Sequence, residues 1–288
     1  MSYTEKKIKA IFTLSDKTFK DGSDQLSLEG LRMQATIESY GILQQGTTHL
    51  RIWGMLPEDM NTLATLAIRT GISANGLTLL AGDDDTGLTQ VFSGTIYSAY
   101  ADYNGLPNVE FCVEAAPGWF EKMAAAAPNS FKGGEDVGVI MAALAAAAGF
   151  AFVNHGVNVQ LTNHYVCGSI MQQIQDVVTA TGIGCRLANN TLEIWPAGES
   201  TNELAVELSS ETGLVGYPEF SPYGLSVTTE FNPALIYGRK VSINSTVIQA
   251  CGDFTISRCQ HNISCQVPHG PWFTTLGVWN NDVQQLFK

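Results

Sequence analysis

Apolar and polar positions alternate through most of the first 120 residues, which predicts β-strands because successive side chains of a strand point to opposite faces. The alternation is clear in "IKAIFTLS" and continues in "QLSLEGLRMQATIES", where a phase slip near Gly30 predicts a bulge. Further strands are predicted in "THLRIWGM" and "NVEFCVEA", and on both sides of the polar turn in "LTLLAGDDDTGLTQVFSGTIYSAYAD".

A helix is predicted within this β-rich region, at 57–71. Pro57 suits the first helical turn, and Glu58 and Asp59 suit the positive end of the helix dipole. Gly71 can end the helix, because glycine readily adopts the left-handed conformation that caps a helix.

The pattern changes at "AAPGWFEKMAAAAPNSFKGGED", whose prolines and glycines indicate a boundary. Beyond it, a helix is predicted at 137–148, ending at Gly149, and short strands follow in "FAFVNHGVNVQL". A second helix is predicted in "GSIMQQIQDVVTATG", where Ser169 is the N-cap, Gln172 completes the capping box and Gly182 ends the helix. The expected buried face of this helix consists of Ile170, Ile174, Val177 and Val178.

A β-hairpin is predicted in "GCRLANNTLEIWP", turning at Asn189 and Asn190, because asparagine tolerates the positive φ of such turns. Strand patterns then return in "TGLVGYPEFSPYGLSVTTEF", "RKVSINS", "GDFTISRCQHNISCQV" and "WFTTLGVWN". The predicted fold class is therefore α+β, with two β-rich regions around a small inserted α/β module. We expect four segments: a β-rich domain 1–120, a linker 121–134, an α/β module 135–207 and a β-rich domain 208–288.

Charged residues are few, at 15% of the 288 residues, whereas an average soluble domain has about 25%. Two interpretations fit this composition: partners cover much of the surface, or the chain has a large core rich in alanine and glycine. The net charge of −12 argues against broad binding to phosphate backbones, but an acidic wall would let DNA pass without sticking.

The six cysteines include no CxxC pair, and their low density in a long chain argues against a disulfide scaffold. We therefore expect buried free thiols in a protein made in a reducing cytoplasm. The start "MSYTEKKIKAIFTLSD" lacks the pattern of a signal peptide. The apolar run Val137–Val153 is rich in alanine and glycine, which predicts a buried helix followed by a strand rather than a membrane span.

Three groups of residues could hold a chemical site. Asp83, Asp84 and Asp85 are consecutive, as in a solvated turn, whereas a calcium loop spaces its carboxylates at alternating positions. A second group, in "CQHNISCQVPH", has residue types that suit zinc but not the usual spacing. Its members are Cys259, His261, Cys265 and His269, and in a strand the first three fall on one face with Ile263 and Val267.

The third group consists of His155, His164 and Cys167, in a loop-rich segment where we expect no carboxylate set. The chain has no GxSxG, phosphate loop, GxGxxG or HExxH motif. A glycosidase needs only two carboxylates that meet in space, so the sequence leaves that class open, although no charged cluster suggests it. We expect no enzymatic activity, no cofactor and no metal.

The segment "TGLVGYPEFSPYGLSVTTEFNPALIYGRKVSI", Thr212–Ile243, resembles the bacteriophage baseplate hub family, whose members share its TG[L/M]VGxP start and its FNPx[L/I] motif. "FTISRCQHNISCQVPHGPWFTTL" is similar to the closing hairpin of that family, with His269 in place of the first turn glycine. The stretches "LRIWGM", "VFSGTIYSAYADYNGLPNVEFCVEA" and "GWFEKMAAAAPNSFKG" are similar to its first barrel and the exit from it, so the resemblance covers most of the chain.

The resemblance implies a structural protein of the virion tail baseplate, made in the host cytoplasm. Three copies would form a pseudo-sixfold ring from two β-barrel-like domains each. This ring would join the tail tube or distal tail protein to a central cell-puncturing spike, contact other baseplate proteins through its α/β modules, and pass genomic DNA through its lumen. Stable membrane insertion is not expected.

Two alternatives belong to other classes. The same resemblance fits the hub of a contractile secretion or injection apparatus, because the assembly problem is the same. A tail-associated lytic enzyme is the other alternative, and it would need a fused catalytic domain or a catalytic set that the sequence does not display.

The stretch "VTTEFNPALIYGRKVSI" predicts a corner between two strands, with Thr228 and Glu230 on one face and Val227, Thr229 and Phe231 on the other. Asn232 is expected to cap one helical turn that starts at Pro233, and Gly238 to return the chain to a strand; Ala234, Leu235 and Ile236 would form the apolar side of the turn. Two interpretations stay open for this corner: it only packs the fold, or Phe231, Asn232, Pro233 and Leu235 also contact the next subunit.

Overall fold

The computed structural model describes residues 4–65, 74–221 and 224–280. The chain packs into two compact units. The first contains Met1–Glu38, Thr47–Phe120 and His261–Trp272, and the second contains Ser39–Gly46, Glu121–Gln260 and Phe273–Lys288. No helix in the described ranges is long and apolar enough to cross a membrane.

The first unit is a sheet of antiparallel neighbours in the order β3-β4-β7-β6-β5-β1-β2. The predicted alternation is confirmed: in the first strand Ile8, Ala10 and Phe12 are buried while their neighbours are partly exposed. The strands are β1 (Lys6–Thr13), β2 (Gln25–Leu28), β3 (Arg32–Ser39), β4 (Thr48–Trp53), β5 (Gly76–Asp83), β6 (Gly87–Asp102) and β7 (Glu110–Ala116).

The prediction of a bulge near Gly30 was wrong. Gly30 lies between two separate strands, β2 and β3, and its φ of +74° lets the chain turn there. The phase slip in the sequence marks this turn.

The predicted helix after β4 is present but shorter than expected. It is α1 (Pro57–Leu63), with Pro57 in its first turn and Glu58 and Asp59 near its positive end, as predicted. It ends because Ala64 leaves the helical region, at φ −56° and ψ 132°. The predicted terminator, Gly71, lies outside the described residues.

The two long helices, the short strands and the hairpin predicted for the α/β region are present in the predicted order, whereas the helix Trp119–Met123 and the strand Asn129–Asp136 were not predicted. The elements of this region are α2 (Trp119–Met123), which begins in the first unit, β8 (Asn129–Asp136), α3 (Val137–Ala148), β9 (Ala151–Asn154), β10 (Gln160–Val166), α4 (Ile170–Thr181), β11 (Gly184–Ala188) and β12 (Thr191–Trp195). Strands β11 and β12 pair antiparallel, and β9 pairs parallel with β12. Strands β8 and β10 form a separate antiparallel pair.

The predicted ends of both long helices are confirmed. Gly149 and Gly182 adopt left-handed conformations after α3 and α4, and Ser169 Oγ accepts a hydrogen bond from Gln172 N at 3.3 Å. Ile174, Val177 and Val178 lie in the core between helices and sheet, and Ile170 packs against its edge. Asn189 and Asn190 have φ of 49° and 61° in the β11–β12 turn, as the sequence predicts.

The last part of the second unit is again β-structure, with a core formed by Val227, Leu235, Val241, Ile256 and Leu276 among others. Its strands are β13 (Val206–Leu208), β14 (Leu214–Ser221), β15 (Gly224–Glu230), β16 (Lys240–Ile243), β17 (Gly252–Cys265), whose last five residues belong to the first unit, and β18 (Trp272–Trp279), whose first residue belongs to the first unit. Their order is β14-β15-β18-β17, and β16 lies between β17 and β13. Pro222 and Tyr223, between β14 and β15 in the sequence, lie outside the described residues.

Candidate interface corner

The corner joins β15 to β16 through residues 231–239, and it contains no helical turn, contrary to expectation. Asn232 Oδ1 accepts a hydrogen bond from the Ala234 N–H at 2.9 Å, and the Asn232 carbonyl oxygen accepts one from the Leu235 N–H at 3.1 Å. This is a β-turn with asparagine at its first position and proline at its second, where the fixed φ of Pro233 fits. The same residue types favour a helix start, so the local signal was ambiguous.

A second turn brings the chain back into a strand. Arg239 N donates to Ile236 O at 3.2 Å, and Gly238 has a φ of +83°, as its predicted role requires. Gly238 N donates to Ile256 O at 2.8 Å, and Gly238 O accepts from Thr201 N at 2.9 Å. Both polar groups of this glycine are therefore tied to the rest of the unit.

The strand faces before the corner are as predicted. Val227 and Thr229 are buried, Phe231 is half-buried, and Glu230 on the other face is exposed. Leu235 is fully buried, at 0% exposure, in the core of its own unit. Its carbonyl oxygen accepts a hydrogen bond from the Cys259 thiol at 3.0 Å. The Leu235 side chain thus packs the fold, whereas the half-buried Phe231, Asn232 and Pro233 form the accessible side of the corner.

A buried ionic cluster lies behind the corner. Arg186, only 1% exposed, donates from Nε and Nη2 to the two Glu193 carboxylate oxygens at 3.1 and 2.8 Å. It also donates from Nη1 to Tyr237 O at 2.7 Å and from Nη2 to Glu203 Oε2 at 3.4 Å. The guanidinium therefore ties β11 and β12 to the corner with nearly all its donors satisfied.

His155 extends this cluster, which corrects the expectation that no carboxylate lies near it. Its Nε2 is 2.8 Å from Glu193 Oε2, and its Nδ1 contacts Asn202 Oδ1. Burial alone would raise the pKa of the Glu203 carboxyl, but Arg186, Arg239 and the Thr201 hydroxyl outweigh it, so its pKa lies below the usual range. A charged network, rather than a catalytic pair, is what this geometry supports.

The other predicted candidates lie apart from this cluster in the chain. Asp83 is the last residue of β5. Its carboxylate accepts a hydrogen bond from Lys6 Nζ at 2.7 Å and two more from the N–H and the hydroxyl of Thr86. The Lys6 hydrogen bond and the Thr86 donors hold the pKa of Asp83 well below its usual range. Asp84 and Asp85 form the exposed hairpin turn, so the predicted solvated turn is confirmed.

The histidine and cysteine candidates form no metal cluster in the ranges that the structure describes. Cys259, His261, Ile263 and Cys265 are buried on one face of β17, as the alternation predicts, and Val267 is half-buried beyond the strand. His269 lies exposed in the following turn with a φ of 55°. His164 lies in β10, and Cys167 is exposed just after that strand.

The expectation that all cysteines are buried was wrong in part. Cys185, Cys259 and Cys265 are buried free thiols, and burial raises the pKa of each. Cys112 is half-buried, while Cys167 and Cys251 are exposed free thiols. The alternating pattern identified the buried cysteines of β17, whereas the exposed ones lie in loops where no pattern predicts burial.

Sequence reasoning missed Arg186, which joins the α/β elements to the corner. A signal was present, because a hairpin that turns at Asn189 and Asn190 places Arg186 directly opposite Glu193, as the register shows. The contacts with Glu203 and the Tyr237 carbonyl link residues far apart in the chain, and no local pattern predicts them.

Solved structures share this fold at very low sequence identity. The tail protein from Neisseria meningitidis MC58 matches with a TM-score of 0.63 and 10% identity, over 95% of this chain and 96% of that one. The 43 kDa tail protein of prophage MuSo2 from Shewanella oneidensis matches with a TM-score of 0.60 and 9% identity, over 95% and 98%. The fold is thus that of phage tail proteins.

A third structure comes from a secretion apparatus. It is an E. coli protein described as a component of the type VI secretion system with structural similarity to the T4 bacteriophage tail proteins gp27 and gp5. It matches with a TM-score of 0.57 and 9% identity, over 93% of this chain and 76% of that one. No curated protein sequence matches the chain.

The family itself is shown by a sequence model described as baseplate hub gp41, which matches residues 7–275. The chain therefore belongs to the baseplate hub gp41 family. This confirms the resemblance found in the sequence and makes the chain a structural protein of a phage tail baseplate.

Proposed function

We propose that three copies of this chain form a ring that joins the tail tube to the central spike. The family match over residues 7–275 carries this proposal. The order of elements supports it, because two β-rich regions per chain supply six ring positions from three chains. Each β-rich region is proposed to form a barrel-like part of the ring, with the α/β module 135–207 facing other baseplate proteins.

The corner is proposed as part of the contact between neighbouring subunits. Phe231, Asn232 and Pro233 are half-buried and accessible, while Leu235 anchors the turn in the core. Arg186 holds the carbonyl of Tyr237, so the turn is fixed before a partner binds. A preorganised contact loses less entropy on assembly than a mobile loop does.

The channel of the ring is proposed to pass genomic DNA. The net charge of −12 motivates this step, because an acidic wall repels phosphates and prevents sticking. An ion-selectivity measurement on assembled rings would test it: we expect a preference for cations, and a preference for anions would overturn it.

Copy number in the assembled tail tests the proposed ring. Quantitative mass spectrometry of purified tails, scaled to a tail-tube subunit of known copy number, should give three copies of the chain per tail. Six copies, or none, would contradict a single trimeric ring.

A second candidate is the hub of a contractile injection apparatus, favoured by the fold shared with the type VI secretion component. Density-gradient purification distinguishes the two roles. A phage hub co-purifies with particles that contain DNA, whereas the hub of an injection apparatus co-purifies with tails that have no capsid.

A further inference from the structure

We propose that the outer face of β14, β15 and β18 is a docking surface for a basic segment of a different tail protein. We call this surface the acidic patch, and it consists of Val215, Tyr217, Glu219, Glu230 and Phe273. The inference rests on the proposed function only in placing the partner within the tail.

The strand register brings most of these residues to one face. Val215 lies opposite Thr228, and Glu219 lies opposite Ser226, on the side of the sheet away from buried Val227. On the next strand pair, Glu230 lies opposite Phe273. Small residues such as Ser226 and Thr228 therefore line the centre of the face, and the acidic and apolar side chains lie at its edges.

The apolar members are unusually accessible for a protein surface. Tyr217 is 71% exposed, Phe273 is 42% exposed and Val215 is 40% exposed. Large aromatic side chains are enriched in protein interfaces, where they bury much area at a low entropic cost. Val215 and Phe273 lie on this face, and Tyr217 lies exposed in the β14 bulge beside it, so together they indicate that another protein covers this surface.

The negative charge of the acidic patch favours a positively charged partner. From residue 187 to residue 238 the chain contains seven glutamates and no lysine, arginine or histidine. Glu219 and Glu230 are exposed, and no ion pair engages either of them in the ranges 4–65, 74–221 and 224–280. One cation next to this face, Arg258, lies over the Tyr40 ring, with 5.6 Å between the guanidinium carbon and the ring centroid.

A basic protein segment meets both features of the patch. Lysine or arginine side chains would pair with the glutamates and also lie favourably over the Tyr217 and Phe273 rings. DNA is disfavoured because its phosphates are repelled.

The edge of β14 indicates that this docking uses side chains rather than strand pairing. Residues 216–218 of β14 face the single residue Val227 of β15, and Gly216 has a φ of +71° within this bulge. Pro218 has no N–H to offer a neighbouring strand. Bulges and prolines of this kind prevent edge-to-edge pairing, so the partner binds to the face.

Photocrosslinking in assembled tails tests the inference, with p-benzoylphenylalanine in place of Phe273. The expected adduct joins this chain to a different tail protein, at a peptide with lysine or arginine within a few residues of the attachment point. The double variant Glu219→Lys with Glu230→Lys should reduce the adduct about fourfold or more, since exposed ion pairs contribute about two- to fivefold each and the two losses multiply. The control Glu207→Lys, an exposed glutamate of β13 outside the patch, should leave it unchanged.

Three results would overturn the docking surface: an adduct with a second copy of this chain, no adduct, or an adduct that survives the charge reversal. Copy number separates this failure from failure of the hub itself. Tails that contain three copies of the chain without the expected adduct would leave the ring standing. Tails that lack the chain would overturn both.

Discussion

The indole of Trp195 lies directly against the backbone of Gly238, so that a Cβ atom on residue 238 would be 2.4 Å from Cζ2 of the ring. Real Cβ atoms do not approach other atoms so closely, and the neighbour here is a rigid ring that is itself buried. The hairpin β11–β12 thus packs on the corner at a position where only glycine fits.

Gly238→Ala is therefore expected to destabilise the second unit by about 2 kcal/mol or more, combining a left-handed backbone with a clash against Trp195. Chemical denaturation monitored by tryptophan fluorescence measures this loss. Gly133→Ala is a matched control, because Gly133 has a nearly equal φ of +81° and no atom within 4 Å of an added Cβ. Equal losses in the two variants would show that Trp195 does not restrict the corner.

Arg186→Met should lower the free energy of unfolding by about 3–5 kcal/mol, because it leaves the Glu193 and Glu203 carboxylates without their buried cation. The double variant Arg186→Met with Glu193→Gln should recover part of this loss by removing a buried charge. Strictly additive losses would show that the two side chains are not coupled.

Low pH should weaken the turn between β5 and β6, because its Asp83 has a depressed pKa in the folded state. A depressed carboxyl pKa adds stability above the unfolded-state value of about 4, and this contribution is lost as the pH falls through the lower folded-state value. The Asp83 side chain is largely shielded but lies at a hairpin end, so we expect about 1 kcal/mol at neutral pH.

The free energy of unfolding of the Asp83→Asn variant, measured as a function of pH, tests this contribution of the ionised Asp83. At pH 7 the variant should be less stable than the parent, and the difference should shrink as the pH falls below about 4. Asp84→Asn, in the same exposed turn, serves as the control and should have a small effect. A difference for Asp83→Asn that stays constant with pH would contradict the ion pair with Lys6.

The two apolar residues of the corner should behave differently. Leu235→Ala should destabilise the single subunit by about 2–5 kcal/mol, because Leu235 is fully buried. Phe231→Ala should cost less stability but weaken assembly of the ring, because Phe231 is half-buried on the accessible side of the turn.

Analytical ultracentrifugation of folded variants measures the assembly effect. Phe152→Ala is the control, since Phe152 is a partly buried phenylalanine of β9, away from the corner. If Phe231→Ala assembles as well as Phe152→Ala does, the corner does not contribute to the subunit contact.

Local patterns in the sequence predicted most of the strands and both long helices. The caps Ser169, Gly149 and Gly182 and the hairpin asparagines act on residues next to them, so the sequence displays their role directly. Family membership was also visible in the sequence, through motifs of turn residues that the family shares.

What the sequence did not reveal depends on distant residues or on choices between similar local structures. Asn232 and Pro233 fit a helix start and a β-turn equally well, and the turn forms because the chain must return to β16 at Lys240. Arg186 meets Glu203 and the Tyr237 carbonyl only after the α/β elements pack on the corner. Contacts of this kind follow from tertiary packing, which local patterns do not encode.

The central claim is that this chain assembles in threes, and native mass spectrometry of the purified protein tests it most directly. Alone or with its spike partner, the 31.0 kDa chain should form a complex that contains three copies, about 93 kDa of this chain. A chain that stays monomeric in both conditions, or that assembles in another number with the spike, would contradict the proposed ring.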